Sequence, residues 1–256
     1  MKPLANRKII ITRDSSQAGS LKDMLEDLGA EVISIPTISI TDPPDWSAFD
    51  KAAREIESFQ WVVFTSINAV VQTYKRIELL GYQPADFPLS SIAVVGDKTA
   101  KQAEDLGWKV DFIPEKFQAE GLAAGLKSRG VSGQRIWFPR AMVARHVLID
   151  ELVKTGAEVT VTPVYQNSVP YENKELLQAA LNNGKADWIS FTSSSTVTNL
   201  FKILKCEPKE VSLPNIASIG TITTETLLKL SLEPAFTADP QNLDGLCQGI
   251  VDYEAR

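Results

Sequence analysis

Six stretches of the chain gather side chains that could hold an anion: Arg13, Thr65-Ser66-Ile67-Asn68, Gly96-Asp97-Lys98-Thr99, Arg140, Thr192-Ser193-Ser194-Ser195 and Gly220-Thr221-Ile222-Thr223. Each follows a short apolar run, so each is expected at the carboxyl end of a β-strand. In open parallel sheets ligands bind at those ends, where the next helix points its unpaired amides outward. Hydroxyls, glycine amides and a few cations are nearly all donors. With the partial positive charge of helix starts they suit a ligand carrying several carboxylates or phosphates. Taken singly, Ser66 or Ser193 reads more simply as a helix N-cap. Repetition of the pattern at several strand ends favours a ligand.

A second chemical candidate is Tyr165, in Pro163-Val164-Tyr165, which matches Pro36-Thr37-Ile38 earlier in the chain. A phenol can donate a proton or hydrogen bond to a leaving group, although its ordinary pKa of about 10 makes it a weak acid. On sequence alone a packed linker tyrosine with a satisfied hydroxyl is the slightly favoured reading. Other chemistries are poorly served. His146 is the sole histidine and is expected on a helix surface, so neither a serine triad nor a histidine-rich metal site is available. Cys206 and Cys247 are too few for a disulfide framework or a metal knuckle. Neither a Walker A run nor a GxGxxG turn is present. Asp14 and Glu115 stand at no catalytic spacing, and Lys22, Asp23 and Glu26 read as a solvated helix face.

The elements that must position these residues come in two copies. RKIIITRDSSQAGSLKDMLEDLGAEVISIP from Arg7 aligns without a gap on QRIWFPRAMVARHVLIDELVKTGAEVTVTP from Gln134, placing Arg13 on Arg140. WVVFTSINAV at Trp61 falls on WISFTSSSTV at Trp188 in the same register. After a small deletion, IAVVGDKTA matches IASIGTITT and EGLAAGL matches DGLCQGI. Within a copy, Lys8–Thr12, Val32–Ile35, Trp61–Thr65, Ile92–Val95 and Val110–Ile113 read as strands. Leu21, Met24, Leu25 and Leu28 trace a helix face closed by Gly29, and Val70, Val71, Tyr74 and Ile77 trace another ending near Gly81. Continuous apolar strands alternating with helices predict an α/β fold with parallel sheets covered on both faces, in the flavodoxin-like manner.

The 256 residues suit two domains, and 44% apolar with 23% charged residues excludes a disordered or fibrous chain. Net charge −6 argues against nucleic acid as a partner. No apolar run is long enough for a membrane helix and no signal segment follows Met1–Lys8, so a cytoplasmic protein without membrane contact is expected. Division between the copies, near Ser128–Gln134, is the simplest cut. The turn-rich stretches Thr41–Trp46 and Asn167–Tyr171 suggest two linkers instead.

FTSINAV, VVGDKTA, FPRA with Arg145 following, VTPVYQ, FTSSST, IASIGTITT and TADPQNLDGL occur here in an order and spacing that resembles the uroporphyrinogen-III synthase family over essentially the whole chain. The resemblance implies two flavodoxin-like domains joined by a two-stranded linker: residues 1–38 with 169–256, and 42–164, with linkers near 37–44 and 163–170. It implies a monomer with an active site in the cleft between domains and neither metal nor organic cofactor. The substrate would be hydroxymethylbilane, closed to uroporphyrinogen III with inversion of the last pyrrole ring and loss of water. Transient contact with the preceding pathway enzyme is a further expectation. Carried over by position, the hinge tyrosine is Tyr165, with Thr99 and Thr223 in the two glycine turns and Ser66, Ser193 and Ser195 at strand ends. Arg13, Asn68, Gly96, Lys98, Arg140, Gly220 and Thr221 complete the expected substrate contacts. Asn68 stands where many relatives carry arginine, and Thr221-Ile222 replaces a common Pro-Thr.

A substrate with four acetate and four propionate groups asks for many distributed donors, which the strand ends supply. Two alternatives share these features: a hinged binding protein for an anionic small molecule, and a flavodoxin-like carrier holding flavin at FTSSST.

Overall fold

The computed structural model describes residues 2–84, 90–116, 118–144, 146–182 and 185–256, without the side chains of 15–17. Eleven strands and ten α-helices follow one another along these residues. The first part of the chain runs β1 (Lys8–Ile11), α1 (Ser15–Asp27), β2 (Glu31–Ser34), β3 (Ser39–Thr41), α2 (Ser47–Arg54), β4 (Trp61–Phe64), α3 (Ile67–Leu79), β5 (Ser91–Val94), α4 (Asp97–Asp105), β6 (Val110–Phe112) and α5 (Ala119–Ser128). The second part runs β7 (Arg135–Ala141), α6 (Val147–Lys154), β8 (Glu158–Ser168), α7 (Lys174–Leu181), β9 (Trp188–Phe191), α8 (Ser194–Leu204), β10 (Asn215–Ser218), α9 (Thr221–Lys229), β11 (Phe236–Thr237) and α10 (Leu243–Glu254).

They form two compact units, Met1–Ile40 with Ser168–Arg256 (the terminal unit) and Thr41–Asn167 (the central unit). The terminal unit holds a five-stranded sheet in the order β11-β10-β9-β1-β2, with every pair parallel. The other sheet runs β3-β8-β7-β4-β5-β6, and its pairs from β8 through β6 are parallel. Strands from both sequence copies therefore share each sheet. In each, the first two strands of one copy lie beside the last three of the other.

The unbroken apolar strands follow from burial on both faces. In β1, Ile9 and Ile11 pack with Leu21, Leu25, Trp188 and Leu246 on one side, while Ile10 packs with Ile189, Val197, Leu200 and Leu227 on the other. Period-two alternation sends neighbours to opposite faces, and both faces here carry helices. In the central unit Val63, Ile136 and Phe138 meet Leu122, Leu126, Leu148 and Leu152. Trp137 fills the other face between Phe49 and Phe59, with ring centroids at 5.0 and 6.0 Å, and its indole nitrogen donates to Thr162 at 2.8 Å.

Both units use one helix-on-strand device. A methyl group on Gly125 of α5 would overlap the Phe112 ring, and one on Gly249 of α10 would overlap Phe236, the repeat-equivalent pair. Gly249→Ala is expected to cost about 1–3 kcal/mol through overpacking. Chemical denaturation checks this, and a loss below the measurement error would show that Phe236 yields freely.

One sequence reading needs adjustment. His146 is exposed but stands at the N-cap of α6 rather than within the helix. The Val164-Tyr165 segment belongs to an eleven-residue strand, β8, which continues to Ser168 because β3 lies beside it. No helix among the described residues is long and apolar enough to cross a membrane.

Candidate functional site

The carboxyl end of the central sheet collects Tyr165, Ser66 and Arg140. Ser66, two residues past the end of β4, is extended and caps α3, accepting from the Ala69 amide at 3.1 Å. A serine oxygen satisfying one of the four orphan amides is the local reason the helix begins there. The same oxygen lies 3.3 Å from Tyr165 Oη. Tyr165 reaches it because the β7–β8 register slips: Arg140 faces Pro163, but Ala141 faces Tyr165, leaving Val164 as the extra residue. Such a bulge turns the following side chain onto the face that regular pleating would deny it. The Met142 amide donating to the Tyr165 carbonyl at 2.8 Å closes the bulge. Val164 and Tyr165 are both buried, as neighbours are in a sheet covered on both faces.

Arg140 is buried, and burial lowers its pKa from the ordinary guanidinium value while the Tyr165 phenol opposes that shift. Its Cζ lies 5.5 Å from the Phe138 ring centroid. Nearby, Gly96 caps α4 with no side-chain partner. Lys98 is exposed in the first turn of that helix, and Thr99 is buried. Asn68 is half-buried in the first turn of α3. This rim thus presents a phenol, a serine, amides and cations, with the exposed Asp97 carboxylate among them.

The carboxyl end of the terminal sheet is built alike but satisfies more of its own donors. Ser193 caps α8 by accepting from the Thr196 amide at 3.3 Å, and its hydroxyl lies 2.9 Å from that of the exposed Ser195. Gly220 caps α9, whose Thr221 amide donates to Gln241 Oε1 at 3.2 Å. Gln241 is a contributor that the sequence reading missed: a capping partner so far along the chain has no local spacing signal. Thr223 is buried at 4% exposure and Thr99 at 5%, so at both glycine turns the residues facing outward are Asp97, Lys98, Thr221 and Ile222. Arg13 is half-buried beside Asp14. Burial lowers its pKa and the Asp14 charge counters this. Arg145, singled out with the FPRA segment, lies outside the described residues.

Among the described residues no three His, Cys, Asp or Glu side chains cluster to hold a metal ion. Cys247 is buried under α10 with its thiol pKa pushed up to about 11, chiefly by burial, far from a reactive thiolate.

A family model described as "Uroporphyrinogen-III synthase HemD" matches residues 19–248. The chain belongs to the uroporphyrinogen-III synthase family. A relative named uroporphyrinogen-III synthase from Synechococcus elongatus is 34% identical over 257 residues, covering 98% of this chain and 97% of its own length. One of the same name from Chlorobaculum parvum is 26% identical and covers 93% and 95%. Among solved structures, a uroporphyrinogen-III synthetase from Helicobacter pylori superposes with a TM-score of 0.64 at 17% identity, covering 96% of this chain and 99% of that one. A Thermus thermophilus uroporphyrinogen III synthase gives 0.59 at 15% identity, covering 96% and 98%. The pair of parallel α/β sheets is thus the fold of the uroporphyrinogen-III synthases. Tetrapyrrole biosynthesis is the setting of the family.

Proposed function

We propose that this chain closes hydroxymethylbilane to uroporphyrinogen III, inverting the last pyrrole ring and releasing water. The observation that carries the chemical reading is the bulge that sets Tyr165 Oη beside Ser66 at a rim rich in donors.

Tyr165 Oη donates its proton to the hydroxymethyl oxygen as the carbon–oxygen bond breaks, and the hydroxyl leaves as water. The resulting azafulvenium carbon is attacked by the substituted α-carbon of the last ring, giving a spiro intermediate. The bond from that carbon to its own bridge then breaks, and the bridge carbon closes on the ring's free α-carbon. Loss of the proton from that carbon to the phenolate restores Tyr165 and balances the reaction. Delocalisation over the pyrroles does much of the electronic work, so the protein's main contribution is position.

Ser66, Asn68, Gly96, Lys98, Thr99 and Arg140 at the central rim, and Arg13, Ser193, Ser195, Gly220, Thr221 and Thr223 at the terminal rim, serve as carboxylate contacts. Thr99 and Thr223 are buried, and the Thr99 amide already donates to the Gly96 carbonyl at 3.0 Å, which supports the preceding amides of the first helical turns as the donors there. The test is incubation of purified protein with hydroxymethylbilane, followed by isomer separation. The type III isomer is expected in excess, and type I alone would defeat the assignment.

A further inference from the structure

Beyond Tyr165 and Ser66, the central unit contains a cavity of about 510 Å³ opening between the ends of β4 and β7 and the start of α5, lined among others by Thr65, Gln118, Glu120, Phe138 and Arg140. Arg140 is only 4% exposed, and its Nη1 has no hydrogen-bond partner. Among the described residues it forms no ion pair, even with Glu120 on the same wall. A buried charge left unpaired costs several kcal/mol. Such a cost persists where a ligand supplies the missing partner.

The repeat shows that this uncapped helix start is particular to one unit. In the terminal unit the equivalent helix start, α10, is closed by its own Asn242, which accepts from the Gly245 amide at 2.9 Å. Gln118 holds the matching position before α5, yet its side chain does not cap that helix. The equivalent arginine, Arg13, has Asp14 beside it. Gly121 lets the Lys116 carbonyl fold tightly over the first turn of α5, since a methyl there would overlap that oxygen. The helix start therefore stays next to the cavity with its amides uncapped by Gln118.

We infer that Arg140 and the N-terminal amides of α5 form a dedicated subsite for one carboxylate side chain of the bilane. This rests on the cyclisation reading and deepens it: one acetate or propionate is held by a buried charge-assisted contact, while the others meet exposed donors. The contact is made equally before and during the reaction, so it acts on affinity.

Arg140→Met keeps the bulk and removes the charge. KM for hydroxymethylbilane is expected to rise about 10- to 100-fold, with the type III isomer still formed at saturating substrate. Tm should stay level or rise, because an unpaired buried charge has been removed. Unchanged KM with a lowered Tm would overturn the subsite and make Arg140 a structural residue. A second arm uses inorganic phosphate. If phosphate raises the Tm of the parent protein but not of the variant while the two KM values agree, the site takes a free anion and the inference fails. Failure of the cyclisation reading looks different, since the parent protein itself would then give only type I.

Discussion

Tyr165→Phe is expected to lower kcat about a hundredfold with little change in KM or Tm. Among the described residues the phenolic oxygen pairs with Ser66 Oγ at 3.3 Å, so deleting it forfeits a long and therefore weak hydrogen bond. The ring remains, and with it the packing that holds the β7–β8 bulge. Loss of rate without loss of binding identifies an interaction used only as the carbon–oxygen bond breaks. The rest of the enhancement comes from orientation of the bilane, so the product remains the type III isomer. Ser66→Ala separates the roles: it removes the hydroxyl beside Tyr165 together with the cap on the Ala69 amide. It should therefore lower Tm, as Tyr165→Phe does not. Steady-state kinetics with isomer analysis checks both, and an unchanged kcat for Tyr165→Phe would strip the phenol of its acid role.

Trp188→Ala is expected to destabilise the protein by about 3–5 kcal/mol. Trp188 is fully buried in β9, its ring centroid 5.1 Å from Tyr253 and 5.8 Å from Phe236, and its indole nitrogen donates to Glu254 Oε1 at 2.7 Å. Glu254 also pairs with Arg7 at 2.5 Å, so the indole ties β9, α10 and the chain before β1 together. Truncation leaves a cavity under α10 and an acceptor without its donor. Trp61, the repeat-equivalent residue, is only half-buried and donates to Gln134 at 3.1 Å. Trp61→Ala should cost about half as much or less. Denaturant titration of both variants is the check. Equal losses would mean that burial does not set the difference.

Local patterning carried much of the architecture. The runs around Ile9–Ile11, Val62–Phe64 and Ile189–Phe191 read as doubly buried strands because alternation places neighbours on opposite, equally apolar faces. Ser66 and Ser193 were legible as caps for an equally local reason, a serine three residues before the amide it accepts from. What escaped the sequence is set by partners far along the chain. The bulge beside Arg140 depends on how β8 meets β7, and nothing in Pro163-Val164-Tyr165 encodes it alone. Gln241 closing α9 and Gln118 leaving α5 open are likewise decided by how loops fold back over helix starts. The burial of Arg140 required seeing which charges fail to come near it. The matched arginines of the repeat suggested equivalence, whereas the structure distinguishes them by their neighbours.

The account centres on the turning round of the last ring, and that can be read directly from connectivity. Hydroxymethylbilane labelled with carbon-13 at the bridge before the last ring, and at the ring carbon attached to it, carries a one-bond carbon–carbon coupling. The mechanism proposed for Tyr165 and its rim breaks that bond, so the coupling should vanish from the enzymatic product and persist in the product formed without protein. A product made by the protein that keeps the coupling would contradict the account.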